Sequence, residues 1–116
     1  MNTTFLAKDT HIRENSKEYI LKRLGEIEDF FHGDTLFEIE VGEDKKGFFR
    51  VEVNVREPNK LYRAEETSES VEGSIDMVID KLRVQIVREK DRRRDLHDRG
   101  ARSIKKKIVL DEAARF

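Results

Sequence analysis

The 116-residue sequence predicts an α+β domain of two layers, in which two helices cover one face of a four-stranded sheet. Residues 36–43 and 49–56 alternate between apolar and polar side chains, which is the pattern of strands that bury one face. Residues 20–31 and 71–86 instead repeat their apolar side chains at helical spacing. With a strand at each remaining β-prone segment, the predicted order is β-α-β-β-β-α, and the charged face of the sheet lies in water.

The amino-terminal half of the chain supplies a strand, a helix and a hairpin. Residues 3–8 form the first strand, and Asn15 is expected to cap the first helix, with Glu18 reaching back to it. Gly33 and Asp34 are expected to end that helix. The turn at residues 44–47 then joins the two alternating strands into an antiparallel hairpin.

The carboxyl-terminal half begins with a turn at Pro58 and a strand over residues 61–68. Ser70 is expected to cap a long second helix, whose apolar stripe consists of Val71, Ile75, Val78, Ile79, Leu82 and Ile86. This periodicity ends near Arg94. The sequence therefore predicts one domain over residues 1–94 and a basic, flexible tail or truncated linker over residues 95–116.

The charges are sorted along the chain although they nearly cancel. Lys and Arg number 24 against 25 for Asp and Glu, which gives a net charge of −1. Residues 81–107 carry 12 basic and four acidic side chains, so this segment has a charge of +8 and the remainder −9. Such asymmetry indicates a polyanionic partner. A solvated, charged helix followed by a disordered tail accounts for the composition equally well.

Composition excludes several other classes of protein. The absence of Cys excludes disulfides, thiolate metal sites and cysteine nucleophiles. No apolar run is long enough to span a membrane, and the amino terminus lacks a signal pattern, so a cytoplasmic protein is expected. His11, His32 and His97 have no motif partner, and Glu38 and Glu40 fall on a solvated strand face. We therefore predict no enzyme, catalytic residue, metal, cofactor or small-molecule substrate.

Plotted at 100° per residue, one flank of the second helix is purely cationic. Lys81, Arg88 and Arg92 form this flank, without an acidic residue among them, and we predict phosphate contacts there. The opposite flank mixes its basic residues with Glu72 and Asp76. It carries Arg83, Lys90 and Arg94.

The first helix has two further basic candidates. Arg23 lies beside the apolar stripe, and Lys22 points outward near Glu26. Ordinary surface solvation is the alternative for both. The acidic body of the domain, with Glu38 and Glu40 on the sheet, is expected to limit indiscriminate RNA binding.

Two segments of the sequence resemble a known family. Residues 17–31 are similar to the first helix of the ribosome hibernation promoting factors. Residues 63–86 resemble that family's last strand and second helix, with Ile75-Asp76 and Ile79-Asp80-Lys81-Leu82 in its recurring core pattern. The resemblance covers roughly residues 3–94 in the same element order.

The resemblance implies a fold similar to double-stranded RNA-binding domains with an added first strand. It also implies binding to the small ribosomal subunit and its 16S rRNA, over the mRNA channel and the tRNA sites, so that the ribosome is held idle. The RNA-binding residues implied by position are Lys22, Arg23, Lys81, Arg83, Arg88, Lys90, Arg92, Arg93 and Arg94.

Long members of the family continue through a linker into a dimerising domain that pairs two ribosomes. Such a domain is absent from this chain, so ribosome pairing by the chain alone is not expected. The alternative function is a free double-stranded RNA-binding module. That function requires contacts spaced over two minor grooves, and the predicted loops offer no recognisable set.

Overall fold

The computed structural model describes the backbone of residues 1–31 and 33–108 and the side chains of residues 1–31 and 33–92. In chain order the elements are β1 (Asn2–Lys8), α1 (Glu14–Glu28), β2 (Leu36–Glu43), β3 (Phe49–Glu57), β4 (Lys60–Ser68) and α2 (Val71–Ile108). This order confirms the predicted α+β architecture. The chain divides within α2 into two compact units, Met1–Ile86 and Val87–Phe116.

The sheet has the strand order β1-β2-β3-β4. Strand β1 runs parallel to β2, and the other neighbours are antiparallel. The register places Phe37 opposite Val55, and Val41 opposite Val51. Because side chains directly opposite each other share a face, the alternating apolar residues of β2 and β3 form one continuous surface.

Both helices bury their apolar stripes on this surface of the sheet, as predicted. Ile20, Leu24 and Ile27 of α1 have no exposed area. Burial of each such side chain stabilises the fold by about 1.5–3 kcal/mol relative to exposure. The rest of the core comprises Ile12, Phe31, Phe37, Ile39, Val41, Val51, Val53, Val55, Tyr62, Ala64, Ile75, Val78, Ile79, Leu82 and Ile86.

The predicted ends of α1 are wrong at both termini. The N-cap is Arg13, which is extended and makes no side-chain cap bond, whereas Asn15 lies inside the first turn. Ser16, in the first turn, is buried and donates a hydrogen bond to Glu72 of α2. The helix ends at Glu28, and tight backbone turns carry Phe31 back into the core without continuing the helix to Gly33.

The start of α2 confirms the predicted cap at Ser70. The Ser70 hydroxyl accepts a hydrogen bond from the Gly73 amide at 3.0 Å, and the Ser74 hydroxyl donates to the Phe49 carbonyl at 2.7 Å. A Cβ atom at Gly73 would stand 2.8 Å from the Ser68 hydroxyl oxygen. Glycine therefore leaves room for the serine hydroxyls that attach α2 to the sheet.

The apolar periodicity of α2 ends near Arg94, but its helical backbone continues to Ile108. The predicted domain boundary at residue 94 stays a prediction. A helical backbone requires residues of adequate propensity and no proline, and the segment after Arg94 is rich in Arg and Lys with only Gly100 as a weak helix former. An apolar stripe is not required. The part of the predicted tail at residues 109–116 lies outside the described residues.

Candidate nucleic-acid interface

Ion pairs cover the solvent-facing side of the sheet, which we call the outer sheet face. Glu40, Glu52 and Glu65 stand directly opposite one another across β2, β3 and β4. Like charges in such positions repel. Arg50 offsets this repulsion because its guanidinium lies 2.5 Å from Glu40, 4.0 Å from Glu52 and 3.5 Å from Glu65.

Three more cations complete the outer sheet face. Arg63 donates two hydrogen bonds to Glu52, at 2.6 and 3.0 Å, and Lys8 lies 3.5 Å from Glu40. Arg56 pairs with Glu38. Four basic and four acidic side chains therefore neutralise one another on this surface. The prediction of a charged sheet face in water is confirmed, and its net charge is close to zero.

A second polar network joins α1 to α2. The Ser16 hydroxyl donates to Glu72 at 2.7 Å, and the Tyr19 hydroxyl donates to Asp76 at 2.6 Å. These contacts advance along both helices in the same direction, so the two helices run parallel here. The hydrogen bond to Asp76 raises the pKa of the Tyr19 hydroxyl, because it stabilises the protonated form. Tyr19 therefore connects the two helices through its hydroxyl group and packs its ring against the core.

Arg23 extends this network between the helices. Its guanidinium lies 2.5 Å from Glu26, 3.1 Å from Asp76 and 3.7 Å from Asp80. Its side chain is only 21% exposed. The predicted position beside the apolar stripe is correct. The partners were not predicted, and a phosphate that binds Arg23 must compete with three carboxylates.

Arg83 has the same acidic neighbour. Its guanidinium donates a hydrogen bond to Glu26 at 2.6 Å, across the two helices. This bond, with a further contribution from Arg23, holds the pKa of the Glu26 carboxyl below its ordinary value of 4.5. Glu26 is therefore charged at neutral pH and forms ion pairs with two of the predicted RNA-binding residues, Arg23 and Arg83.

Lys81 pairs with Glu66, which comes from β4 rather than from the helix. The helix itself places no acid beside Lys81, as predicted, but the neighbouring strand does. The Lys81 side chain is 56% exposed, whereas that of Glu66 is 21% exposed. More than half of the Lys81 side chain thus faces solvent even while it is paired.

Lys22 completes the basic candidates of the first unit. It is exposed on α1, and no described carboxylate lies within ion-pair distance of it. We call the four side chains Lys22, Arg23, Lys81 and Arg83 the helix cations. Three of them are held by acids, and Lys22 offers its charge without competition from the described residues.

The second unit contains the remaining candidates. Arg88 is exposed and makes no ion pair with a described carboxylate, whereas Arg92 lies 3.1 Å from Glu89. Lys90 is half-buried. The side chains of Arg93 and Arg94 lie outside the described residues. The RNA contacts of these residues remain predictions.

The sequence placed Glu26 near Lys22 but did not predict that Glu26 pairs with Arg23 and Arg83, or that Glu66 pairs with Lys81. One signal was available for Glu66, because the alternation in β4 puts it on the same face as buried Tyr62 and Ala64. Glu26 lies three residues after Arg23, a spacing that brings two side chains together on a helix. Its contact with Arg83 depends on the packing of two helices and has no local signal.

Among the described side chains, no group of three or more His, Asp or Glu residues is arranged to hold a metal ion. Within the same part of the chain, no helix has the length and apolar character needed to cross a membrane. The described residues form an α+β domain with basic side chains on two helices and a neutral outer sheet face.

The chain belongs to the family described as sigma 54 modulation protein / S30EA ribosomal protein, whose model matches residues 4–94. One similar structure is the amino-terminal domain of Protein Y from Thermus thermophilus. It has 25% sequence identity and a TM-score of 0.68, over 76% of this chain and 98% of that one. A ribosomal subunit interface protein from Coxiella burnetii shares the fold, at 21% identity and a TM-score of 0.69, over 78% and 99% of the two chains.

Membership in this family confirms the resemblance to ribosome hibernation promoting factors noted in the sequence. The family consists of ribosome-associated factors and not of enzymes, so the chain is a binding protein. Family and fold together support the ribosome as its partner.

Proposed function

We propose that this protein binds the small ribosomal subunit through its helix cations and the basic residues of the second unit. By contacting 16S rRNA in the mRNA channel and at the tRNA sites, it keeps the ribosome inactive. Such a factor acts in the cytoplasm, where ribosomes translate. The proposal belongs to the stress-response class of translation control, in which idle ribosomes are stored.

The observation that carries this proposal is the contrast between two charged surfaces. On the outer sheet face every basic side chain has an acidic neighbour, so that surface has no charge left for a polyanion. Segment 81–107 instead has an excess of eight positive charges. Phosphates are bound by positioned cations regardless of base sequence, which suits a helix surface without base-reading pockets.

Co-sedimentation with purified small subunits tests the proposal. A variant with Lys81→Gln, Arg88→Gln and Arg92→Gln should bind at least about tenfold more weakly at moderate salt, because three phosphate contacts are lost. The slope of log affinity against log salt should become shallower by about one unit for each contact.

The matched control removes three positive charges elsewhere, as Lys8→Gln, Lys45→Gln and Lys46→Gln. Lys45 and Lys46 lie in the exposed turn between β2 and β3, and Lys8 lies on the outer sheet face. This control should bind nearly as well as the original protein. Failure of the unaltered protein to sediment with small subunits, or equal losses in the two variants, would contradict the proposal.

A competition experiment separates this function from that of a free double-stranded RNA module. Excess duplex RNA of about 16 base pairs, the span of a dedicated duplex reader, should not release the protein from small subunits. Release at equimolar duplex would favour the alternative function.

A further inference from the structure

The acidic partners of the helix cations have a consequence for RNA binding. We propose that Glu66 competes with phosphate for Lys81 and so lowers the affinity of the protein for RNA that offers few contacts. This inference rests on the proposed ribosome binding and assigns an affinity-limiting role to a strand residue. Glu66 would touch no RNA itself.

The geometry of β4 places Glu66 for this role. Tyr62 and Ala64 of the same strand are buried under the helices, and strand alternation puts Glu66 on the same side. Its register partner is Val51, which is fully buried. The carboxylate therefore emerges at the border between sheet and α2, where Lys81 reaches it.

The two partners differ in their access to solvent. Lys81 is 56% exposed and Glu66 only 21% exposed. A phosphate can thus approach the ammonium group from outside, but the carboxylate remains beside it as a fixed negative charge. A phosphate at Lys81 must share the ammonium group with an existing partner and tolerate a neighbouring like charge.

Glu26 repeats the arrangement on the other side of the helix pair. It holds Arg83 at 2.6 Å and Arg23 at 2.5 Å. Two carboxylates therefore occupy three of the four helix cations. Glu38 and Glu40, which the sequence suggested as acids that limit indiscriminate binding, are paired with cations of the outer sheet face, and that suggestion stays a prediction.

The competition has a different effect on different RNA ligands. Partly exposed ion pairs are weak, and we expect Glu66 to lower affinity by about threefold to fivefold. A ligand held by only a few phosphate contacts then falls below useful affinity. A ribosomal surface that provides many additional contacts remains bound despite the same penalty.

The test compares two neighbouring glutamates of β4. Glu66→Gln and Glu65→Gln change the net charge equally, but Glu65 lies on the outer sheet face beside Arg50. Binding of a duplex RNA of about 16 base pairs is measured at about 50 mM salt. Glu66→Gln should raise affinity about threefold to fivefold, and Glu65→Gln by less than about twofold, because its charge is distant and screened.

The same pair of variants in a Lys81→Gln background completes the cycle. In that background Glu66→Gln should change the RNA affinity no more than Glu65→Gln does, because Lys81, the cation for which Glu66 and phosphate compete, has been removed. Equal gains from the two glutamates, a gain that persists without Lys81, or no measurable duplex binding by Glu66→Gln would overturn the proposal.

Two parallel measurements keep the outcomes distinct. Urea unfolding of each variant detects any change in folding. Sedimentation of the unaltered protein with small subunits tests the proposed function separately. If the protein sediments and Glu66→Gln has no effect on RNA affinity, only the role of Glu66 is wrong.

Discussion

The outer sheet face and the helix surface use the same residue types for opposite results. On the sheet, Arg50 contacts three glutamates, and each of those glutamates belongs to a different strand. On the helices, Arg23 and Arg83 are also held by acids. Lys81, however, has a single acidic partner, and Lys22 has none among the described residues. The sheet pairs all of its basic side chains within the protein, and the helices leave part of their positive charge for a ligand.

The physical reason lies in the shapes of the two elements. Neighbouring strands are about 4.8 Å apart, so side chains on one face are forced into a grid in which opposite charges meet. A helix surface is convex, and its side chains spread outward from the axis. Only residues three or four apart on one helix, or residues at a border between elements, come within reach of each other.

The largest expected effect concerns the core that both surfaces share. Leu82 has no exposed area, and Leu82→Ala should lower the free energy of unfolding by about 3 kcal/mol, through lost burial and the cavity left behind. Urea unfolding followed by circular dichroism measures it. Val84→Ala, at a position 48% exposed on the same helix, should change stability by less than about 0.5 kcal/mol. Similar losses in the two variants would mean that α2 is not held by this face.

The effect of intermediate size is a difference in stability between a variant of the outer sheet face and a variant of the helix surface. Arg50→Gln leaves three aligned glutamates without their shared cation, so it should lower the free energy of unfolding by about 1 kcal/mol. Lys81→Gln removes the same charge and should lower stability less, because Lys81 is 56% exposed and pairs with one glutamate where Arg50 contacts three.

Binding to small subunits should show the reverse order for these two variants. Lys81→Gln is expected to weaken sedimentation, and Arg50→Gln is expected to preserve it. If both variants lose stability and binding in equal proportion, the distinction between a neutral sheet and an accessible helix surface is wrong.

The smallest expected effect is the contribution of Glu26 to the pH dependence of the free energy of unfolding. Its pKa is lowered in the folded protein, so its stabilising contribution is present above the ordinary value of 4.5 and is lost as the pH falls through the lower folded value. Glu26→Gln should therefore be less stable than the original protein at neutral pH, and the difference should disappear in acid. Urea midpoints at several pH values measure this.

Arg83 provides the control for the acid effect. Because its hydrogen bond is the main cause of the lowered pKa, the pH-dependent difference should shrink in an Arg83→Gln background. A difference of unchanged size in that background would assign the effect to another partner of Glu26.

Sequence reasoning succeeded where a local pattern reports a local structure. The alternation of β2 and β3 predicted both strands and the buried face, and Ser70 predicted the start of α2. It failed at α1, where Asn15 looked like a cap but the N-cap is Arg13, and Ser16 in the first turn packs against α2. Capping preference is worth about 1 kcal/mol, which packing between helices can outweigh.

The element order, the apolar face of each strand and helix, and the sorting of charge along the chain could all be read from the amino-acid sequence. These features depend on periods of two or 3.6 residues and on simple counts, so no distant contact is needed to see them. Only the tertiary structure decided the strand order, the parallel pairing of β1 and the partners of the charged residues. Lys81 meets Glu66, and Arg83 meets Glu26, because of how α2 is rotated on the sheet and against α1. That rotation is set by the packing of the whole core, which no short stretch of sequence encodes.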